Sequence, residues 1–121
     1  MNEEFVNYEI AIKLNEKGFN LKTRYGYLPP IKLIHESFID RDWVKLNGCP
    51  APTISQALKW LREKHNILIS PSVYGNEDGR IWSYSIINIE TQYLHGEIPD
   101  NVESYEQAAL AGINHVLNNL I

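Results

Sequence analysis

The sequence has few of the residues that covalent staples and membrane spans require. Cys49 is the only cysteine among 121 residues, so no internal disulfide can form, and a single thiol is compatible with a reducing cytoplasm. No apolar run approaches the roughly 20 residues of a membrane span. The N-terminal stretch MNEEFVNYEI is acidic and lacks the basic and apolar regions of a secretory signal. We therefore expect a cytoplasmic protein that does not associate with membranes.

The chain also lacks a surplus of positive charge. It has 11 Lys and Arg residues against 15 Asp and Glu residues, and its formal net charge is -4. A protein that neutralises many phosphates needs the opposite balance, so the charge argues against nucleic acid as the partner. The hydrophobic share of 44% and the charged share of 21% are typical of globular proteins. The length predicts a single domain over residues 1–121 that buries about two thirds of its unfolded surface.

Three segments begin with a polar residue that can cap a helix. Asn7, Thr53 and Ser104 each precede a stretch in which apolar residues recur every three or four positions. Gly18 stands where a left-handed residue would end the first helix. The predicted helices have the sequences YEIAIKLNEKG, ISQALKWLREKHN and YEQAALAGINHVLNNLI.

The clearest strands are residues 67–74 and 80–90, which form a predicted hairpin. The second strand has apolar residues on both faces, which indicates an inner strand or a face used for association. Between the first two helices, KTRYGYLP and IKLIHESF resemble strands, Pro29 and Pro30 separate them, and IDRDWVKLNGCPAP is irregular. The predicted fold is α+β, with three helices packed on a small, mainly antiparallel sheet whose central hairpin spans about 67–90.

Three stretches of the sequence carry a resemblance to known proteins. APTISQALKWLREKHNILISPSVY, FVNYEIAIKLNEKGF and SYEQAALAGINHVL resemble small uncharacterised proteins of gut Bacteroidetes and their prophages and mobile elements. The resemblance spans most of the chain outside residues 22–50. It implies a genomic context, and because its matching positions are mainly caps and core residues, it carries over no catalytic residue.

The sequence contains no pattern typical of catalytic, cofactor-binding or metal-binding residues. The four histidines are not spaced as metal ligands, and His65 suits the last turn of its helix, where a cation complements the helix dipole. Cys49 lies between glycine and proline, where nothing lowers the pKa of a thiol, so a buried, unreactive thiol is expected. Asp40 and Asp42 form a weak cation motif that a solvated loop explains equally well. We therefore expect no catalytic residue, no cofactor and no metal, and a protein that is not an enzyme.

Aromatic residues are more informative about function than the histidines, Cys49 or the aspartates. Strand aromatics usually stabilise sheets by cross-strand packing, whereas Trp and Tyr also dominate binding surfaces. The candidate interaction surface consists of Trp43, Trp82 and Tyr84, and Trp43, in an irregular acidic loop, is the residue most expected at the surface.

Two functions lead the hypotheses, ahead of a small hydrolase or metal enzyme, which would need histidines, Cys49 or Asp40 and Asp42 to converge in a deep pocket. The leading hypothesis is a non-enzymatic accessory or interaction protein, of phage or mobile-element origin, that acts on a protein partner or as a homo-oligomer. The alternative is a nucleic-acid-binding protein that uses helix 53–66 and the following hairpin in the manner of a winged helix. The acidic tip NEDG of that hairpin argues against phosphate contacts.

Overall fold

The computed structural model of the chain describes residues 4–76, 79–92, 94–97 and 102–121. The chain divides into two compact units, Met1–Ala57 and Leu58–Ile121. The single domain expected over residues 1–121 stays a prediction.

The described elements confirm the α+β class and the three predicted helices. The strands pair into two three-stranded sheets, β2-β1-β3 and β4-β5-β6, and every neighbouring pair is antiparallel. A 3-10 turn over Val44–Leu46 precedes β3. The elements in chain order are α1 (Tyr8–Glu16), β1 (Thr23–Leu28), β2 (Ile31–Arg41), β3 (Cys49–Pro50), α2 (Ile54–His65), β4 (Ile67–Asn76), β5 (Gly79–Asn88), β6 (Leu94–Glu97) and α3 (Tyr105–Asn119).

All three predicted helix caps are confirmed. The Oδ1 atom of Asn7 accepts a hydrogen bond from the Ile10 N–H at 2.9 Å. Thr53 and Gln56 form a reciprocal capping box, in which each side chain accepts from the backbone N–H of the other, at 3.1 and 2.8 Å. The hydroxyl of Ser104 caps α3 in the same way as Asn7 caps α1. Each cap stabilises its helix by about 1 kcal/mol.

The first unit is organised around the C-terminal end of α1. Gly18 has a φ of 102°, and the Phe19 N–H then donates back to the Leu14 carbonyl at 2.9 Å, as expected for a helix ended by a left-handed glycine. Phe19 and Leu14 are fully buried. The Tyr27 hydroxyl donates to the Val6 carbonyl at 3.1 Å, which connects β1 to the segment that precedes α1.

The second unit is built on the predicted hairpin. β4 and β5 pair without interruption from Ile67–Asn88 to Asn76–Gly79, and β4 is an edge strand, as Pro71 in its sequence predicts. α3 packs on this hairpin through small buried residues. A Cβ atom on Gly112 would lie 2.7 Å from a methyl group of Ile69, so only glycine permits this close approach.

Candidate interaction surface

β2 carries five large apolar side chains that are open to solvent. Phe38 is 97% exposed, Leu33 76% and Ile39 67%. Five side chains of this size expose on the order of 500 Å², comparable with the largest apolar patch on a typical monomer. The β2 apolar surface consists of Ile31, Leu33, Ile34, Phe38 and Ile39.

The pairing of β2 with β1 explains why these side chains project outward. β2 has 11 residues and β1 has six, and the register shifts on both sides of the central rungs. The extra residues of β2 therefore form two bulged segments, 32–34 and 37–40. Each bulged segment contains two members of the β2 apolar surface. The paired rungs are Thr23–Arg41, Tyr25–Glu36, Gly26–His35 and Leu28–Ile31.

β2 is the edge strand of its sheet in the described part of the chain. A regular edge strand offers a continuous row of N–H and C=O groups to an added strand, and bulges interrupt that row. The outer side of β2 is therefore suited to recognition through apolar side chains rather than through an extended backbone ladder.

Charged residues lie between and beside the apolar pairs. Glu36, at the centre, accepts a hydrogen bond from the Tyr25 hydroxyl at 2.6 Å, and the Arg24 guanidinium is 4.0 Å from the same carboxylate oxygen. At one end of the strand the Lys32 ammonium lies 5.8 Å from the centre of the Tyr8 ring. Asp40 is exposed at the other end. Lys32 therefore lies within the β2 apolar surface near its first residue, and Asp40 and Arg41, which have opposite charges, follow its last residue.

The expectation that Trp43 lies at the surface is wrong. Trp43 is 3% exposed, and its indole N–H donates to the Thr23 carbonyl at 2.8 Å. The ring lies directly over the backbone of Gly26, where any side chain would occupy the same space. Trp43 therefore belongs to the core of the first unit, because a strand glycine leaves room for the indole and a carbonyl satisfies its N–H.

Tyr84 is also misassigned to a surface, since it is 3% exposed. It lies on the face of β5 that carries α3, beside Gly112 and with its ring centre 6.3 Å from that of His115. Trp82, two residues earlier on the same face, is half-buried. Trp43 and Tyr84 are thus core residues of the first and second units, and of the three candidates only Trp82 retains substantial exposure.

The remaining candidates for catalysis or metal binding lie on different elements or already contact other residues of the protein. His35 is in β2 of the first unit, where its Nδ1 atom is buried without a hydrogen-bond partner. His65, in the last turn of α2 as predicted, contacts the Trp60 ring at 4.8 Å, and the side chain of His95 lies outside the described residues. The Asp42 carboxylate accepts from the Lys45 N–H at 3.4 Å. In residues 4–76, 79–92, 94–97 and 102–121, no three His, Cys, Asp or Glu residues are grouped as metal ligands would be.

Cys49 is buried, as expected, with 1% of its surface exposed. Burial raises the pKa of its thiol above the ordinary value of 9.0, and a backbone hydrogen bond at Tyr27 offsets only part of this shift. The thiolate is the reactive form of cysteine, so both burial and the raised pKa suppress reactivity.

We expect iodoacetamide to modify Cys49 in the native protein at least about a hundredfold more slowly than in the unfolded chain, because modification requires local opening. Mass spectrometry of samples quenched over time, with and without urea, measures the two rates. Equal rates would contradict the buried position.

The raised pKa of Cys49 further predicts that the free energy of unfolding falls as pH rises past about 9, because the unfolded thiol loses its proton first. In Cys49→Ala this decline should be smaller.

A small cavity in the first unit is a weaker candidate for ligand binding. Its volume is about 180 Å³, below the range of roughly 300–1,000 Å³ typical of small-molecule sites. On its wall the Thr53 and Gln56 side chains each accept from the backbone N–H of the other residue, and the Thr23 hydroxyl donates to the Tyr25 carbonyl at 2.6 Å. These polar groups are already satisfied by the protein.

The exposed face of α2 is mildly basic, since Lys59, Arg62 and Lys64 are exposed beside a single acidic residue, Glu63. Lys59 and Glu63 form an exposed ion pair at 4.0 Å, which offsets part of the positive charge. β1, β2 and β3 separate α1 from α2, so in the described chain no helix directly precedes α2 as a winged helix requires. The tip residues Glu77 and Asp78 of the hairpin lie outside the described residues.

The sequence contained a signal for the β2 apolar surface that was applied elsewhere. Apolar residues on both faces of a strand indicate an inner strand or a face used for association in residues 80–90, and residues 31–41 have the same property. In the structure, β5 is an inner strand with Ile86 buried, while Ile89, just beyond it, is exposed. β2 is an edge strand, and its apolar residues are the more exposed set.

Comparison with family models, curated proteins and solved structures finds no match to this chain. None of the helices in the described residues combines the length and hydropathy that crossing a bilayer requires.

Proposed function

We propose that this chain is a non-enzymatic accessory protein that acts through protein–protein contacts made by the β2 apolar surface. The observation that carries the proposal is the exposure of Phe38, which is 97% accessible on a strand with four other exposed apolar residues. The largest apolar patch on a monomeric protein is often a functional contact surface.

The energetics support a protein partner. Full burial of one such side chain stabilises a complex by about 1.5–3 kcal/mol, and five are available on a single strand. Charged residues border them, which resembles the polar rim around the apolar centre of many interfaces. The proposal includes a cytoplasmic location, supported by the lone buried thiol, and a phage or mobile-element origin, supported by the sequence resemblance.

Photo-crosslinking in cells of the source organism tests this proposal. A benzophenone amino acid replaces Phe38 in the full chain, and a matched variant carries it at Lys64, which is exposed on α2. We expect a discrete adduct after irradiation only from position 38, because only that position would lie within a protein interface. Mass spectrometry then identifies the crosslinked protein. No adduct from position 38, or equal adducts from both positions, would contradict the proposal.

A further inference from the structure

We propose that the protein bound by the β2 apolar surface is a second copy of this chain, arranged antiparallel about a two-fold axis at Glu36. This inference rests on the proposed function, because it names the partner of the same surface. A two-fold contact presents one patch to itself, so each residue of the patch must suit its symmetry-related counterpart.

The sequence of β2 is complementary to itself about Glu36. Positions two to four residues on either side of Glu36 share their chemistry or have opposite charges, whereas Ile31, five residues from the centre, lies opposite Arg41. Apolar residues pair with apolar residues at two and three positions from the centre, and at four positions a cation meets an anion. The resulting pairs between exposed residues of the two copies are Ile34–Phe38, Leu33–Ile39 and Lys32–Asp40, while Ser37, next to the centre, is buried in its own chain. The two-fold axis forms each of these pairs twice.

Other arrangements lose this complementarity. Moving the axis to the point between Glu36 and Ser37 sets Lys32 against Arg41 and Leu33 against Asp40. A parallel arrangement in register sets Lys32 against Lys32. Like charges in contact disfavour association, and of these arrangements the register centred on Glu36 is the one that sets Lys32 against Asp40, so charge favours it although Ile31 then lies opposite Arg41 at the end of the strand.

The two Glu36 carboxylates near the axis do not oppose this arrangement. Each accepts the hydrogen bond from Tyr25 of its own chain at 2.6 Å and lies 4.0 Å from Arg24 of its own chain. Its negative charge is therefore offset within each copy, on the side of β2 that pairs with β1.

The shape of β2 is compatible with this arrangement. The rungs at His35 and Glu36 are in register, and a bulged segment lies on each side of them. With the axis at Glu36, residues 32–34 of one copy meet residues 38–40 of the other, and the contact is made by side chains rather than by a continuous backbone ladder. The roughly 500 Å² of apolar surface, together with the flanking charged residues, approaches the ~800 Å² per partner of a standard interface.

Sedimentation velocity of the purified full chain tests the dimer. At concentrations on the order of 100 µM in low salt, we expect a species of twice the 14.0 kDa chain mass. Phe38→Ser should abolish this species. The matched control Val73→Ser, which alters an exposed apolar residue of β4 in the second unit, should leave the dissociation constant unchanged.

Charge reversal tests the register. Lys32→Asp and Asp40→Lys each create like-charged pairs between copies, so each single variant should raise the dissociation constant about tenfold at low salt. The double variant restores opposite charges and should return to within about threefold of the wild-type value. Circular dichroism spectra check that these exposed substitutions leave the fold intact. A dimer that neither single variant weakens, or a double variant no better than the singles, would overturn the proposed register.

A 14.0 kDa monomer at every concentration, or a dimer that survives Phe38→Ser, would overturn the second copy as partner. These results are distinguishable from failure of the proposed function. A monomer that still gives a position-38 adduct with another protein in cells retains that function and loses only the self-association. A monomer without an adduct loses both.

Discussion

Replacing Trp43 by alanine should lower the free energy of unfolding by about 3–5 kcal/mol, the range for removing a fully packed aromatic side chain. Trp43 is 3% exposed and lies against the backbone of Gly26. The substitution leaves a cavity and removes the donor to the Thr23 carbonyl, which is 2.8 Å from the indole nitrogen. Urea denaturation followed by far-UV circular dichroism measures the change.

Trp82→Ala provides the matched control for this prediction. Trp82 is half-buried in the second unit, so its removal creates less cavity and should cost roughly half as much. A loss below about 1 kcal/mol for Trp43→Ala would contradict the core position of the indole. A larger loss for Trp82→Ala than for Trp43→Ala would contradict the relative burial of the two rings.

Replacing Gly26 by alanine should lower the free energy of unfolding by about 3 kcal/mol, at the upper end of the cost of overpacking. The new Cβ atom would collide with Cδ2 of the Trp43 indole and would lie 2.7 Å from Cε3. The ring is fixed by its hydrogen bond to β1, so it cannot move aside without losing that bond. Urea denaturation again measures the difference.

The collision is specific to one pair of residues, so a double-mutant cycle isolates it. In a Trp43→Ala background, Gly26→Ala should cost far less than in the wild type, because the atoms that it meets are gone. Gly75→Ala is the matched strand control, since a Cβ atom at Gly75 meets nothing within 4 Å. Additive effects of the Gly26 and Trp43 substitutions would show that the two residues are not in contact.

The features that depend on local chemistry were predictable from the sequence. Asn7, Thr53 and Ser104 each accept a hydrogen bond from the first turn of the helix that follows. This contact needs only a short polar side chain and a backbone N–H three residues away. The hairpin of residues 67–90 was predictable for the same reason, because alternation and turn residues are local properties.

The position of Trp43 was not predictable, because it depends on contacts 17 and 20 positions earlier in the chain. Its own neighbourhood is a 3-10 turn among glycine and proline residues, which has no period to indicate an inner face. A glycine inside a strand often indicates that another group packs closely against the backbone, and Gly26 is such a glycine. The sequence does not specify which side chain approaches.

The β2 apolar surface was missed for a related reason. The residues of IKLIHESF were recognised as a strand, but exposure depends on which strand lies at the edge of the sheet, and strand order is set by pairing across the whole unit. The bulged segments arise because 11 residues pair with six. Neither the lengths of the two strands nor their register follows from the composition of either strand alone.

The distribution of tryptophan allows fluorescence emission to report whether the two units unfold together. Of the three tryptophans in the sequence, Trp43 lies in Met1–Ala57, and Trp60 and Trp82 lie in Leu58–Ile121. Emission from Trp43, isolated by replacing the other two with phenylalanine, follows the environment of the first unit alone. Coincidence or separation of that signal from a Trp60 signal during denaturation distinguishes one cooperative melting event from two.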